Sequence, residues 1–191
     1  MEEVSKLVQN RMRMLRLNFM LKPVRVMVLK DLGVVSLDGV ELELRKGVEL
    51  ELPRWLAELL VENGYAEYVE TPITLQDIAR IHFSTMSARN PGELEQLPKD
   101  FYNMAREYYL ELSKRVRKEL SPVILEERSK AASYLSEIVN KRITFILQVM
   151  RSPALLADIY QKLSPEEQVL LDTMHKLLDA WKTELLGFIE E

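Results

Sequence analysis

The stretch from Leu97 to Met150 limits the possible folds more than any other part of the chain. It reads as two amphipathic helices separated by one Ser121-Pro122 step. In the first, Phe101, Ala105, Tyr108, Leu112, Val116 and Leu120 recur in steps of three and four, the spacing of one buried helical face. Arg106, Glu107, Glu111, Lys114, Arg117 and Lys118 take the opposite face. Leu97-Pro98 ends whatever precedes, because proline disfavours helix in the residue before it, so the helix should begin near Lys99 or Asp100. Serine is a good N-cap and proline is tolerated at the first helical position, so Ser121-Pro122 closes one helix and opens the next. The second helix is expected from about Val123 to Met150, with Leu125, Ala131, Leu135, Ile138, Val139, Ile146 and Val149 on or near one stripe. It would span roughly 40 Å at 1.5 Å per residue. A helix that long needs neighbours along all of it, from the same chain or from a partner.

The rest of the sequence narrows the class. Its 191 residues allow one or two domains. An apolar share of 47% argues against disorder, and a net charge of -4 gives no global basic character. The absence of cysteine excludes a disulfide framework and thiol catalysis, and two histidines leave little material for a zinc site. The N-terminus has no unbroken apolar core of the signal-peptide kind, and no apolar run approaches the roughly 20 residues of a membrane span. A cytoplasmic protein without a membrane partner is therefore expected.

Residues 2–21 look helical, with Val4, Leu7, Val8, Met12, Leu15 and Phe19 on one side. Arg11, Arg13 and Arg16 make that helix basic, either as a solvated face or as a contact for DNA or an acidic partner. Pro23 ends it, and alternating β-branched runs follow. Val34–Leu37 and Val40–Leu44 flank Asp38-Gly39, a hairpin signal because such turns need positive φ. A short helix from Arg54 to Glu62 should pack on these strands, with Trp55, Leu56 and Leu59 as its core contribution and Trp55 as the anchor. Thr71-Pro72 is a plausible junction. Beyond it, Thr74 can cap a helix, and Ser164-Pro165-Glu166-Glu167 combines a serine cap, proline at the first position and glutamate at the third. The expected fold class is α+β, mainly α: an N-terminal helix over 1–22, a small β-rich module over 23–71, and an α-helical bundle domain with long helices over 72–191.

No chemistry-bearing motif stands out. Six scattered glycines build no phosphate loop, and no metalloprotease, serine-hydrolase or kinase signature is present. His82 lacks a companion acid or nucleophile in a known pattern. No catalytic, cofactor-binding or metal-binding residue is assigned, and no small-molecule substrate is expected. The cluster Lys114, Arg115, Arg117 and Lys118 is the best phosphate contact, although such a cluster is more often a soluble face.

Several segments taken together resemble the GINS family of DNA-replication factors, archaeal type. In the small module these are Val26–Asp31, the Asp38-Gly39 turn, Leu44-Arg45-Lys46-Gly47, and Leu52-Pro53-Arg54-Trp55-Leu56-Ala57 followed by Leu59-Leu60. This part is similar to the GINS B domain. In the helical part they are Leu97-Pro98-Lys99-Asp100-Phe101-Tyr102, Asn140-Lys141-Arg142-Ile143 and Leu163-Ser164-Pro165-Glu166-Glu167, similar to the A domain. The resemblance covers about residues 24–190, and its domain order is that of the small-B-domain-first subunits. It implies a non-catalytic scaffold that assembles with a related sister subunit into a four-membered complex and links the MCM replicative helicase to a RecJ-like partner. It also implies a tetramer core built from the A-like helices, with Phe101, Tyr102, Tyr108, Tyr109, Leu135, Ile138 and Ile146 as candidate interface residues shared with self-packing. The rival readings are a DNA-binding or regulatory protein that uses the basic N-terminal helix or the 114–118 cluster, and an enzyme of unfamiliar motif.

Overall fold

The computed structural model describes residues 2–37, 39–70, 73–150 and 153–186. The chain divides into two compact units, Arg16–Pro72 and Met1–Leu15 together with Ile73–Glu191. Helix α1 (Glu2–Met20) belongs in part to each. The architecture is α+β and mainly α.

In the smaller unit, strand β1 (Pro23–Val28) is flanked on both edges. Its partners in a three-stranded antiparallel sheet are β4 (Glu49–Pro53) and β5 (Ala66–Tyr68), with Val26 opposite both Leu50 and Tyr68. Strands β2 (Gly33–Leu37) and β3 (Val40–Leu44) pair as a separate hairpin. Asp38 of the expected turn lies outside the described residues; Gly39 has a φ of +81°, which glycine adopts without a Cβ clash. Helix α2 (Arg54–Glu62) lays Leu56, Ala57 and Leu60 on Val26, Val28 and Leu52.

Trp55 and Leu59 do not join this core: they are 39% and 52% exposed, while Leu56 is buried as expected. A nine-residue helix on a three-stranded sheet can bury one narrow face. Residues 56, 57 and 60 fill that face, and Trp55 and Leu59, one turn apart, stand off it. Arg54 is buried instead, with its guanidinium carbon 4.4 Å from the centre of the Phe19 ring.

The helical unit contains α3 (Leu75–Ser87), a single 3-10 turn (Pro91–Glu93), α4 (Phe101–Lys118), α5 (Pro122–Val149), α6 (Pro153–Tyr160) and α7 (Pro165–Leu186). Thr74 caps α3 through a reciprocal pair with Asp77: each backbone N–H donates to the other's side chain, at 3.0 and 3.2 Å. The expected junction Thr71-Pro72 lies outside the described residues, as does Ser152 ahead of α6.

Helix α5 is the axis of this unit, and three apolar clusters follow one another along it. Ile124 and Ala131 pack with Leu112. Ile138 packs with Ile73, Ile78, Leu97, Phe101 and Ala105. Phe145, Ile146 and Val149 pack with Leu94, Ile159, Leu163 and Leu171. The inward stripe runs Ile124, Ala131, Ile138, Arg142, Phe145, Val149, on a seven-residue repeat divided four and three. Leu125, expected near that stripe, is 48% exposed. Leu120, expected on the buried face of α4, is 93% exposed. Helix α4 ends at Lys118, and past the last turn the helical period no longer decides where a side chain points.

Candidate functional site

A charge on an apolar stripe needs a partner, because a lone buried ion costs several kcal/mol, of the order set by desolvation. Arg142 is such a charge, 1% exposed on α5. Its partner is Glu167, 5% exposed and in the first turn of α7. The guanidinium meets the carboxylate side-on: Arg142 Nε donates to Oε1, and Nη2 donates to Oε2 at 2.9 Å. Arg142 Nη1 donates to the Glu95 carbonyl at 3.0 Å, and Nη2 also reaches the Lys162 carbonyl at 3.4 Å.

The carboxylate is saturated from its other side. Tyr102 donates its hydroxyl to Glu167 Oε1 at 2.7 Å, and the Ser164 backbone N–H donates to Oε2 at 2.9 Å. The Glu167 N–H returns the contact to Ser164 Oγ at 3.3 Å, which completes a capping box at the start of α7. Burial and the adjacent Glu167 carboxylate push the Tyr102 hydroxyl well above the usual tyrosine range. Glu167 thus has no acceptor position left for a substrate proton. What the arrangement does chemically is lock α4, α5, the 95–98 connector and α7 into one register.

Beside this lock lies a cavity of about 250 Å³, walled by Met12, Tyr102, Val139, Ile143, Ile146 and Leu170. It is smaller than the roughly 300–1,000 Å³ of most small-molecule pockets. An apolar guest the size of one aromatic side chain fits such a space. Among the described residues no group of three or more histidine, aspartate or glutamate side chains could hold a metal ion, and no described helix is long and apolar enough to cross a membrane.

The residues singled out from sequence fall into three environments. Phe101, Ile138 and Ile146 are fully buried and spend their surface inside the chain. Tyr102, Tyr108 and Leu135 are half-buried against the same clusters; Tyr102 belongs to the lock, and Tyr108 donates its hydroxyl to Glu127 across α4 and α5. Burial and that bond to Glu127 push the Tyr108 hydroxyl up as well. Tyr109 is half-buried on α4.

Of the basic residues, Arg11 is taken by an ion pair with Asp172 at 3.0 Å. Arg13, Arg16, Lys114, Arg115, Arg117 and Lys118 are exposed. His82 stacks on Tyr134, with ring centres 4.6 Å apart, and its Nε2 lies 2.8 Å from Glu137. That contact and a bond from Ser133 hold the Glu137 carboxyl below the usual range.

Sequence reasoning did not find the Arg142–Glu167 pair as a site. The available signal was a charge on a 3.5-residue apolar stripe. The glutamate looked locally satisfied by its capping box, so nothing in its own neighbourhood pointed to Arg142. Also unforeseen was the state of the second half of α7, where Leu177, Leu178, Trp181, Leu185 and Leu186 are 38–61% exposed. Neither the comparison with protein-family models nor the comparison with curated proteins returns a match for this chain.

Proposed function

We propose that the chain is a non-catalytic assembly subunit of the GINS kind, of the small-B-domain-first type, acting in chromosomal DNA replication. In this reading it joins a related sister subunit in a four-chain complex and links the MCM replicative helicase to a RecJ-like partner, in the cytoplasm at replication forks. The observation that carries the reading is the apolar face of α7 from Leu177 to Leu186. Trp181 alone is 61% exposed, flanked one turn on either side by Leu177 and Leu185. Contiguous apolar surface of this kind marks an interaction site, and aromatic anchors concentrate binding energy at interfaces.

A second observation supports the family part of the reading. Three segments that carry the resemblance, Leu97–Tyr102, Asn140–Ile143 and Leu163–Glu167, lie far apart in sequence. Through Tyr102, Arg142, Ser164 and Glu167 they meet in one buried hydrogen-bond network. A change in one member of the network leaves a buried partner unsatisfied, which is a physical reason for the three segments to occur as a set.

Light scattering after size exclusion tests the assembly. The chain co-expressed with the sister GINS subunit of its host is expected to elute as four chains. A stable monomer that ignores the sister would overturn the proposal. The DNA-binding reading keeps one observation of its own, the exposed basic end of α4.

A further inference from the structure

We propose that the turn joining α4 and α5 is a nucleic-acid contact in which phosphate-binding cations flank an apolar wedge, and that it selects duplexes whose base stack is interrupted. The proposal is independent of the assembly reading.

The geometry of the turn presents Leu120 at an apex. The Ser121 backbone N–H donates to the Glu119 carbonyl at 2.8 Å, closing a three-residue turn around Leu120. Glu119 and Ser121 are both extended, so the chain reverses sharply between the two helices. Leu120 is 93% exposed and Val123, just beyond the turn, is 71% exposed. Their neighbour Ile124 is turned inward onto Leu112 and Ala131. The apolar tip is therefore small: Leu120 and Val123 stand out, with Pro122 and the half-exposed Leu125 beside them.

A single exposed apolar residue is ordinary. The weight comes from what surrounds this one. Arg115, Arg117 and Lys118 occupy the last turn of α4. Residues 114–130 hold six basic and three acidic side chains, in a chain with 26 basic and 30 acidic residues in all. Glu126 and Lys130 pair with each other at 2.7 Å, one acid with one base, and Glu127 accepts the Tyr108 hydroxyl, so the local excess is three positive charges. The tip is thus a locally positive end of an acidic protein, and its complement is a polyanion.

The size of the tip chooses between polyanions. A specific protein interface needs about 800 Å² per partner with a buried apolar centre, more than the few side chains of this turn supply. One leucine beside arginines matches the arrangement in which an apolar wedge enters a base step while cations hold the flanking phosphates. Entering an intact stack costs unstacking energy; a gap in one strand removes that cost in advance.

The test is fluorescence anisotropy of the full chain on a blunt duplex, the same duplex with a one-nucleotide gap, and vesicles of phosphatidylserine. The gapped duplex is expected to bind roughly tenfold more tightly than the blunt one, the order of preference one removed unstacking step provides. Log affinity should fall against log salt with a slope of about 3, as three or four phosphate contacts require. Leu120→Ser combined with Val123→Ser should abolish the preference for the gap and keep the blunt-duplex affinity. Arg117→Glu combined with Lys118→Glu should weaken both duplexes. All four side chains are exposed, so an unchanged melting temperature certifies the fold. Equal affinity for the two duplexes, a gap preference that survives the serine variant, stronger binding to the vesicles, or no salt-dependent binding would each overturn the proposal. Oligomeric state, read separately by light scattering, decides the assembly reading whatever the anisotropy shows.

Discussion

The two halves of α7 both carry apolar residues and meet opposite fates. In the first half Glu167, Val169, Leu171 and Thr173 are buried, and the helix is tied to α5 by Arg142 and to α4 by Tyr102. In the second half Leu177, Trp181 and Leu185 repeat every four residues, yet all stand at least 48% exposed. The pattern in a sequence shows that a face wants cover. It does not show whether the cover comes from the same chain. Among the described residues, intramolecular cover of α7 ends near residue 174, and the turns beyond it keep their apolar side chains in water.

The comparison breaks most sharply at the lock. Arg142→Ala leaves Glu167 as a buried, unpaired carboxylate and should destabilise the helical unit by about 3–5 kcal/mol in urea titration. Replacing both residues together, Arg142→Met with Glu167→Leu, should recover part of that loss, because a buried ion pair traded for apolar side chains is often neutral, while the Tyr102 hydroxyl and the Ser164 N–H lose their acceptor. If the single and double variants are equally unstable, the pair is not the element that holds α7.

The next contrast uses two leucines of the same helix. Leu171→Ala empties a packed site and should cost about 2–5 kcal/mol. Leu185→Ala, at 48% exposure, should change the stability of the isolated chain by no more than about 0.5 kcal/mol. The same Leu185→Ala, with Trp181→Ala, should instead weaken the proposed complex with a sister subunit, read as dissociation on dilution. Equal costs at 171 and 185 would erase the difference between the halves.

Ser164→Ala removes one member of the capping box and should cost about 1 kcal/mol. Only the acceptor of the Glu167 N–H is lost; the Glu167 carboxylate keeps all four donors, the backbone N–H of residue 164 among them, so the loss should stay near the size of a single cap.

The smallest effect is a pH dependence. The Tyr102 hydroxyl is held above its ordinary value of 10.0 in the folded chain. The unfolded chain therefore ionises first as pH rises. The contribution is fully present below pH 10 and is lost at higher pH as the folded group ionises in turn. Tyr102→Phe should flatten the alkaline limb of stability against pH. An unchanged limb would remove Tyr102 from the titrating set.

Much of this was legible in the chain itself. The helix starts at Pro122 and Pro165, the capping boxes at Thr74 and Ser164, and the strand runs around β1 all follow from local backbone chemistry. Proline, cap residues and alternating β-branched side chains act within a few residues of themselves. Residues that failed to follow expectation did so for non-local reasons. Leu120 left its stripe because α4 stops at Lys118, and Trp55 left the core because the β1 sheet offers α2 only one narrow face. Arg142 entered the core because a glutamate 25 residues away reaches it.

The sequence by itself determined where helices and strands begin, which faces are apolar, and that one 28-residue helix would need neighbours throughout its length. Those are short-range matters of dihedral preference, hydrogen-bond completion and periodicity. Only the tertiary structure decided which apolar faces find cover within the chain, which buried charge meets which, and which leucines remain in water. Each depends on surfaces from distant parts of the chain arriving together, and no local preference encodes that meeting.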